Sequence, residues 1–262
     1  MLYNKISGKY ELLAKNQNQA AQHLLSTIPY QNYNYALDIG CGTGKLTAVL
    51  SNFAKNITGI DLSEGMIEQA VNNYSDYADF SIKSVYDLSE IEKYDLVVCN
   101  SSLHWFKDID KALSNIFKSL LPLGILAIQT PVKLWCDLLC GSIEKTMLNN
   151  QLVYYTNKYV NPWFHLQNAD EYHGFLLKYA RRLVFKEDAI IISKNMSIDD
   201  VIGMFYSGPA VAYFSQENYM IDLPEHYEDL FMTVFKRVLK DIFGKRERVN
   251  VSYNRCFVIV EK

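Results

Sequence analysis

The 262-residue chain has little that would carry it into a membrane, onto nucleic acid or out of the cell. No apolar stretch approaches the roughly 20 residues that span a bilayer. Residues 1–10 lack the basic-then-apolar layout of a secretory leader. The net charge is −3, and the densest positive stretch (Lys236, Arg237, Lys240, Lys245, Arg246, Arg248) reads as a solvated helix face and turn. These features argue against nucleic acid or an anionic membrane as the main partner. Cysteine is scarce: five residues, an odd number, with no metal-ligand spacing. Cys136 and Cys140, four apart, fall on one helix face. Reduced thiols, a cytoplasmic location and no metal site are the expectation. Aromatics are abundant, with 19 Tyr and 13 Phe, and 49% hydrophobic composition is ample for a core.

Apolar runs of strand length alternate with helical patterns, which predicts a parallel sheet with helices on both faces. Strands are expected at 35–39, 56–60, 79–82, 94–100 and 125–130. Helices are expected at about 5–28, where Leu12, Leu13, Ala20, Ala21, Leu24 and Leu25 repeat at helical spacing, and at 45–53, 65–73 and 110–121. Ser63 caps the third of these, and Pro122 with Gly124 ends the fourth. Residues 132–180 are rich in Tyr, Trp, Asn and His and read as mostly helical. A strand at 189–193, a helix from Ser197, a helix at 226–242 and a strand at 253–260 complete the pattern. The fold expected is a Rossmann-like, seven-stranded, mostly parallel α/β sheet with a helical cap in the C-terminal half. One domain is expected: a lid (1–30), a core (31–131), a cap and substrate region with one core strand (132–225), and a closing helix and strand (226–262).

The motif with chemical content is Asp38-Ile-Gly40-Cys-Gly42-Thr-Gly44, between an apolar run and a helical one. Glycine allows sharp turns and close approach of a ligand. Asp61, closing the next apolar run, can take the two hydroxyls of a ribose. The spacing is not the G-x-G-x-x-G of a dinucleotide site, whose helix N-terminus faces a pyrophosphate. Asp38 would repel a diphosphate and welcome a cationic group.

This pattern resembles motif I of the class I S-adenosylmethionine (SAM)-dependent methyltransferases, whose cofactor has a sulfonium, an amino acid end and no phosphate. Residues 61–70 resemble the family's motif II, 94–106 its fourth strand, and Leu121-Pro122-Leu123-Gly124 the L-x-P-G-G-x-L turn before strand five, with Leu123 replacing the first glycine. Tyr10-x-x-x-Ala14-x-x-Gln17 and Leu103-His104-Trp105 are most similar to the carboxyl O-methyltransferases of malonyl-carrier protein, trans-aconitate and juvenile hormone acid. The resemblance implies a loop of Gly40, Gly42 and Gly44 under the methionine part, Asp38 facing its amino end, and Asp61 on the ribose. It places Leu62 and Met66 beside the adenine, Tyr10 over the cofactor, and Asn100 in the cofactor set. Ser84, followed by Val85, stands where the family usually has an adenine-binding Asp; Asp87 is the substitute if the register differs.

A carboxylate acceptor is already ionised and needs neutral donors rather than a base. By the resemblance, Gln17 and Trp105 supply them. The plain reading of Gln17 is a polar helix-surface residue, and that of Trp105 a core aromatic. His104 is the candidate base if the acceptor is an amine, phenol or carbon, and otherwise a structural histidine. The aromatics Tyr154, Tyr155, Tyr159, Trp163 and Phe164, and residues 204–209, are candidates to line the acceptor pocket or to form the core of the cap. The expectation is methyl transfer to a small molecule, most often a carboxylate, with a malonyl group on a carrier protein as an alternative. A non-catalytic SAM-binding protein and a nicotinamide dehydrogenase are the readings from other classes.

Overall fold

The computed structural model describes residues 15–29 and 31–262, with side chains from residue 18 onward. The chain forms two compact units. The first takes the chain up to Lys133, then Trp163–Ala189 and Asn254–Lys262; the second takes Leu134–Pro162 and Ile190–Tyr253.

The first unit begins with α1 (Lys15–Thr27) and β1 (Tyr33–Ile39), followed by α2 (Lys45–Val49) and β2 (Ala54–Asp61). Next come α3 (Glu64–Tyr74), β3 (Asp79–Ile82), β4 (Tyr94–Asn100), α4 (Ile109–Ser119) and β5 (Leu120–Pro131). Local chemistry starts the helices. Ser63 Oγ accepts from Met66 N–H at the head of α3, and Asp108 Oδ1 accepts from Lys111 N–H (2.9 Å) at the head of α4. Buried residues Ala112, Leu113, Ile116 and Phe117 recur at the spacing of one helix face on α4.

The second unit contains α5 (Asp137–Met147) and α6 (Val153–Thr156); α7 (Ala169–Leu176) belongs to the first. Strand β6 (Arg182–Met196) leads from the first unit into the second, followed by α8 (Ile198–Tyr206), α9 (Pro209–Phe214) and α10 (Tyr227–Phe243). Strand β7 (Val249–Glu261) returns to the first unit. The second unit packs around rings: Phe205, Phe231 and Phe235 are fully buried, and Tyr159 stacks on Tyr213 at 5.0 Å. The aromatics expected to act together are divided. Tyr154, Tyr155 and Tyr159 lie in the second unit, Trp163 and Phe164 in the first.

The seven strands are ordered β3-β2-β1-β4-β5-β7-β6. Pairs among β1–β5 are parallel, and β5–β7 is antiparallel. The order reverses between β1 and β4, the switch point beyond whose strand ends ligands bind in such sheets. Alternation gives the sheet two unlike faces. Leu37, Ile39, Val97, Cys99, Leu126, Ile128, Cys256 and Val258 share the core with Leu113, Ile116 and Phe117 of α4 and Tyr172 and Leu176 of α7. Asp38, Asn100, Gln129 and Phe257 point to the other face, where His23 of α1 meets Phe257 edge-on at 4.6 Å.

Several element ends differ from the sequence expectation. The helix expected over 45–53 is α-helical only to Val49 and finishes as a tighter turn, Leu50–Asn52. Helix α4 stops at Ser119, and β5 starts at Leu120 instead of Ile125. Tyr94 pairs with Leu120, and after a bulge Leu96 pairs with Ile125. β6 is three times as long as the strand expected at 189–193, because its charged residues (Lys186, Glu187, Asp188, Lys194) hide it from an apolar pattern. The region 132–180 holds three helices separated by irregular chain. None of the five cysteines is in a disulfide.

Leu123 sits in the β4–β5 bulge at φ +66° and is 60% exposed. This is the position where the resembling turn has glycine. A β-carbon in the left-handed region costs about 1–2 kcal/mol, and the exposed side chain recovers little of it. Leu123→Gly is therefore expected to stabilise the protein by about 0.5–1 kcal/mol after the extra chain entropy of glycine. A Tm rise of about 2 °C in calorimetry checks it.

Candidate cofactor and acceptor site

The glycine loop is bent over the end of β1. The N–H groups of Gly40 and Cys41 both donate to Ile60 O (2.8 and 3.0 Å), which closes the loop onto β2. Gly40 has φ +73°, and a β-carbon there would lie 2.4 Å from Ser102 Cβ. Ser102 in turn donates to Ile39 O (2.6 Å), so the β4 end is latched to the β1 end. Asp61 Oδ2 accepts from Gly42 N–H (3.0 Å) and Oδ1 from Ser63 N–H (2.8 Å), which fixes the carboxylate beside the loop. Burial pushes its carboxyl above the usual range, partly offset by those backbone donors.

Asp38 is 1% exposed. Its Oδ2 accepts from Thr47 Oγ1 (2.6 Å), and its Oδ1 is buried with no partner. Burial, with a smaller contribution from the Asp61 charge, pushes its pKa up to about 7 despite the Thr47 hydrogen bond. A buried carboxylate oxygen without a donor is costly. A cationic ammonium placed there would satisfy it, so the residues present fit the amino acid end of SAM.

Leu62 is exposed next to Asp61, while Met66 is buried. Ser84 caps the single turn Val85–Asp87, its oxygen accepting from Tyr86 N–H (3.1 Å); Val85 is buried and Asp87 exposed. The Ser84 hydroxyl keeps one lone pair and its proton. Asn100, at the end of β4, has a buried Oδ1 without a partner. Tyr10 lies outside the described residues. Gln17 is on α1, with its side chain also outside them.

Past β4, Ser101 takes φ +55° and its N–H donates to Gln129 O (2.8 Å), while its hydroxyl donates to Gln129 Oε1 (2.6 Å). The turn Leu103–Trp105 follows. His104 is buried, with Nδ1 3.5 Å from Thr130 Oγ1 and its ring 5.4 Å from Trp105 and 5.5 Å from His165. Burial first, then the charges of His165 and Arg255, hold its pKa well below the ordinary imidazole value. His165 is lowered to about 4 by burial and Arg255. Half-buried Trp105 meets Trp163 edge-on at 5.7 Å, and Trp163 stacks on His165 at 5.6 Å. Thr47, Ser102, Gln129, His165 and Arg255 are the members that sequence reasoning missed. For Gln129 the available signal was a polar residue at the end of an apolar run. Among the described residues no His, Cys, Asp and Glu are grouped to hold a metal ion.

The first unit's sheet order and glycine loop give it a Rossmann-like fold of the kind seen in methyltransferases. Residues 37–128 match the family described as "Methyltransferase domain". Malonyl-[acyl-carrier protein] O-methyltransferase of Acetivibrio thermocellus is 32% identical over 135 residues, covering 50% of this chain and 48% of that protein. Trans-aconitate 2-methyltransferase of Escherichia coli O17:K52:H18 is 34% identical over 124 residues, 47% of this chain and 49% of that one. The chain thus spans about half the length of the curated relatives it matches. In fold it is similar to phosphoethanolamine N-methyltransferase 2 of Haemonchus contortus, solved with S-adenosylhomocysteine. That match has a TM-score of 0.56 and 18% identity, and covers 99% of this chain and 57% of the other. No described helix is long and apolar enough to cross a membrane.

The raised pKa of Asp38 is expected to make SAM binding pH-dependent. A group with a folded pKa above its unfolded one stabilises the fold at low pH. That contribution is lost as pH rises from about 4 through about 7. The ionised form is the one that accepts an ammonium. Free protein should therefore lose stability across this window, while SAM affinity rises about eightfold between pH 6 and pH 7.5. Thermal shift with and without SAM checks it; in Asp38→Asn both trends should flatten.

Proposed function

We propose that this chain transfers the methyl group of SAM to a carboxylate oxygen of a small acid. The observation that carries the cofactor half is the partnerless Asp38 Oδ1, buried beside a glycine loop held by Asp61. Asp38 would take the ammonium, the Gly40–Gly44 backbone would lie under the methionine part, and Asp61 would hold the ribose. Leu62 and Met66 would flank the adenine, with Ser84, Val85, Asn100 and Tyr10 completing the set. The cofactor supplies an electrophilic methyl on a cationic sulfur. What the protein does is align, exclude water and leave the acceptor nucleophilic; alignment alone is worth roughly 7–11 kcal/mol.

The acceptor half is favoured by the state of the histidines. His104, buried and held neutral with its basicity depressed, is a poor proton acceptor. A carboxylate has no proton to lose. Its oxygen lone pair forms the new bond to carbon as the carbon–sulfur pair leaves with sulfur. Trp105 and Gln17 would donate neutral N–H groups to it, and a neutral donor does not blunt the nucleophile as a cation would. The two sequence relatives named above are named for methyl transfer to malonyl-[acyl-carrier protein], as an O-methyltransferase, and to trans-aconitate. A free acid in the cytoplasm is the substrate favoured over a carrier-bound one, since no basic docking cluster stands out in the sequence.

The test is incubation with methyl-labelled SAM and a panel of free and carrier-bound carboxylic acids, amines and phenols. Label in a base-labile ester is the expected result. Label only in amines or phenols would overturn the acceptor; SAM binding without any transfer would overturn the enzyme. Calorimetric binding of NADH in place of SAM would overturn the cofactor.

A further inference from the structure

We propose that two copies of this chain pair edge to edge through β6, antiparallel, across a two-fold axis at Ile191. The pairing is independent of the reaction. Strand β6 ends the sheet order, so one of its edges has no neighbour in the sheet. It is 15 residues long, where strands average about five or six. The strand at the other end, β3, has only four residues, with Asp79 in it and Lys83 just beyond. Short edges with charges discourage pairing with another chain. The middle of β6 has neither protection: Ala189-Ile190-Ile191-Ile192-Ser193 is uncharged and rich in β-branched residues. Such a segment on an exposed edge joins other strands unless something covers it.

Alternation puts Lys186, Asp188, Ile190, Ile192 and Lys194 on one face of β6, and all five are exposed. The start of this face meets the head of α7, where Lys186 pairs with Asp170 and Asp188 Oδ1 accepts from Ala169 N–H (2.8 Å). Farther along, Ile190 and Ile192 are 66% and 49% exposed. Asn195 then leaves the strand conformation at φ +55°, its N–H and carbonyl held by the side chains of Asn250 and Arg248 (3.1 and 2.6 Å). The regular stretch between these limits, residues 188–194, has Ile191 at its centre. A two-fold axis there sets Ile190 against the partner's Ile192 and Asp188 against the partner's Lys194, each contact occurring twice. An axis at Ile190 would set Lys186 against the partner's Lys194 and Asp188 against the partner's Ile192. An axis at Ile192 would set Ile190 against the partner's Lys194 and Asp188 against the partner's Met196. Of the three, the axis at Ile191 alone joins apolar to apolar and anion to cation. The seven-residue pairing would add about six to eight backbone hydrogen bonds. It closes on itself, because each copy spends its long edge on the other. It is smaller than the roughly 1,200 Å² of stable complexes, so the dimer should depend on concentration.

The experiment is sedimentation of the full chain over a concentration series, unaltered and with Lys194→Asp or Asp188→Lys. The unaltered protein is expected to rise from the mass of one chain at about 1 μM towards that of two at several hundred μM, on the order of a micromolar dimer. Each variant alone faces like charges across both ends of the pairing and should dimerise about tenfold to a hundredfold more weakly. An equimolar mixture of the two variants should regain the dimer, since every contact then joins opposite charges. Thermal melts followed by circular dichroism accompany the series, because Asp188 also holds the head of α7. Lys194→Asp, at an exposed side chain, carries the test by itself if Asp188→Lys does not fold. The mass of one chain at every concentration would overturn the proposal. A dimer indifferent to Lys194→Asp would place the interface elsewhere and overturn it equally. Weakening by both variants without recovery in the mixture would overturn the antiparallel register about Ile191.

Discussion

Asp61→Ala should abolish measurable SAM binding. The carboxylate has two jobs that alanine cannot share. It ties Gly42 and Ser63 through their N–H groups, and so sets the glycine loop against the head of α3. In the proposed complex it would also offer oxygens to the two ribose hydroxyls. Hydrogen bonds to a charged group are worth about 1.5–3 kcal/mol each, so loss of the ribose pair alone lowers affinity by about 10²–10⁴-fold. Asp61→Asn keeps one acceptor and should fall between. Calorimetry on both variants, with circular dichroism to confirm folding, reads the effect. Unchanged affinity in Asp61→Ala would remove the ribose assignment.

The second large effect is expected at Gly40. Alanine there would place a β-carbon 2.4 Å from Ser102 Cβ while holding φ at +73°. The neighbour cannot give way cheaply, because Ser102 Oγ is bonded to Ile39 O and 3.0 Å from Cys99 Sγ. Left-handed strain of about 1–2 kcal/mol adds to an overpacking cost of about 1–3 kcal/mol. The total of about 2–5 kcal/mol should lower Tm by about 4–20 °C and remove SAM binding. Gly42→Ala is the control. At φ +55° with nothing within 4 Å, it should cost only the strain. Similar losses at the two positions would show that the Ser102 latch is not what makes Gly40 necessary.

Much of the first unit was legible because its signals are local. Apolar runs with turn residues between them marked β1 to β4 within a residue or two, and Ser63 does cap α3. The glycine spacing with Asp38 and Asp61 pointed to one cofactor class without any tertiary information. What stayed hidden was non-local. A third of the residues of β6 are charged, so only its apolar middle looked like a strand. The start of β5 was masked by Pro122 and Gly124, which local rules read as a break and the sheet absorbs as a bulge. Gln129 and Arg255 are 126 positions apart in a chain of 262, each next to another polar residue, Thr130 and Asn254. Only the β5–β7 register makes them neighbours. Thr47 escaped for a similar reason: nothing near it in sequence announces a bond to Asp38.

The position of β7 has a consequence for how the protein is made. β7 comes after every other strand in the sequence, yet it lies between β5 and β6 in the sheet. Until it emerges from the ribosome, the edge of β5 is unpaired and β6 has no place to attach. The nascent chain therefore holds a finished cofactor half beside an open apolar edge, a state prone to pair with other chains. Pairing of β7 with β5 closes that edge.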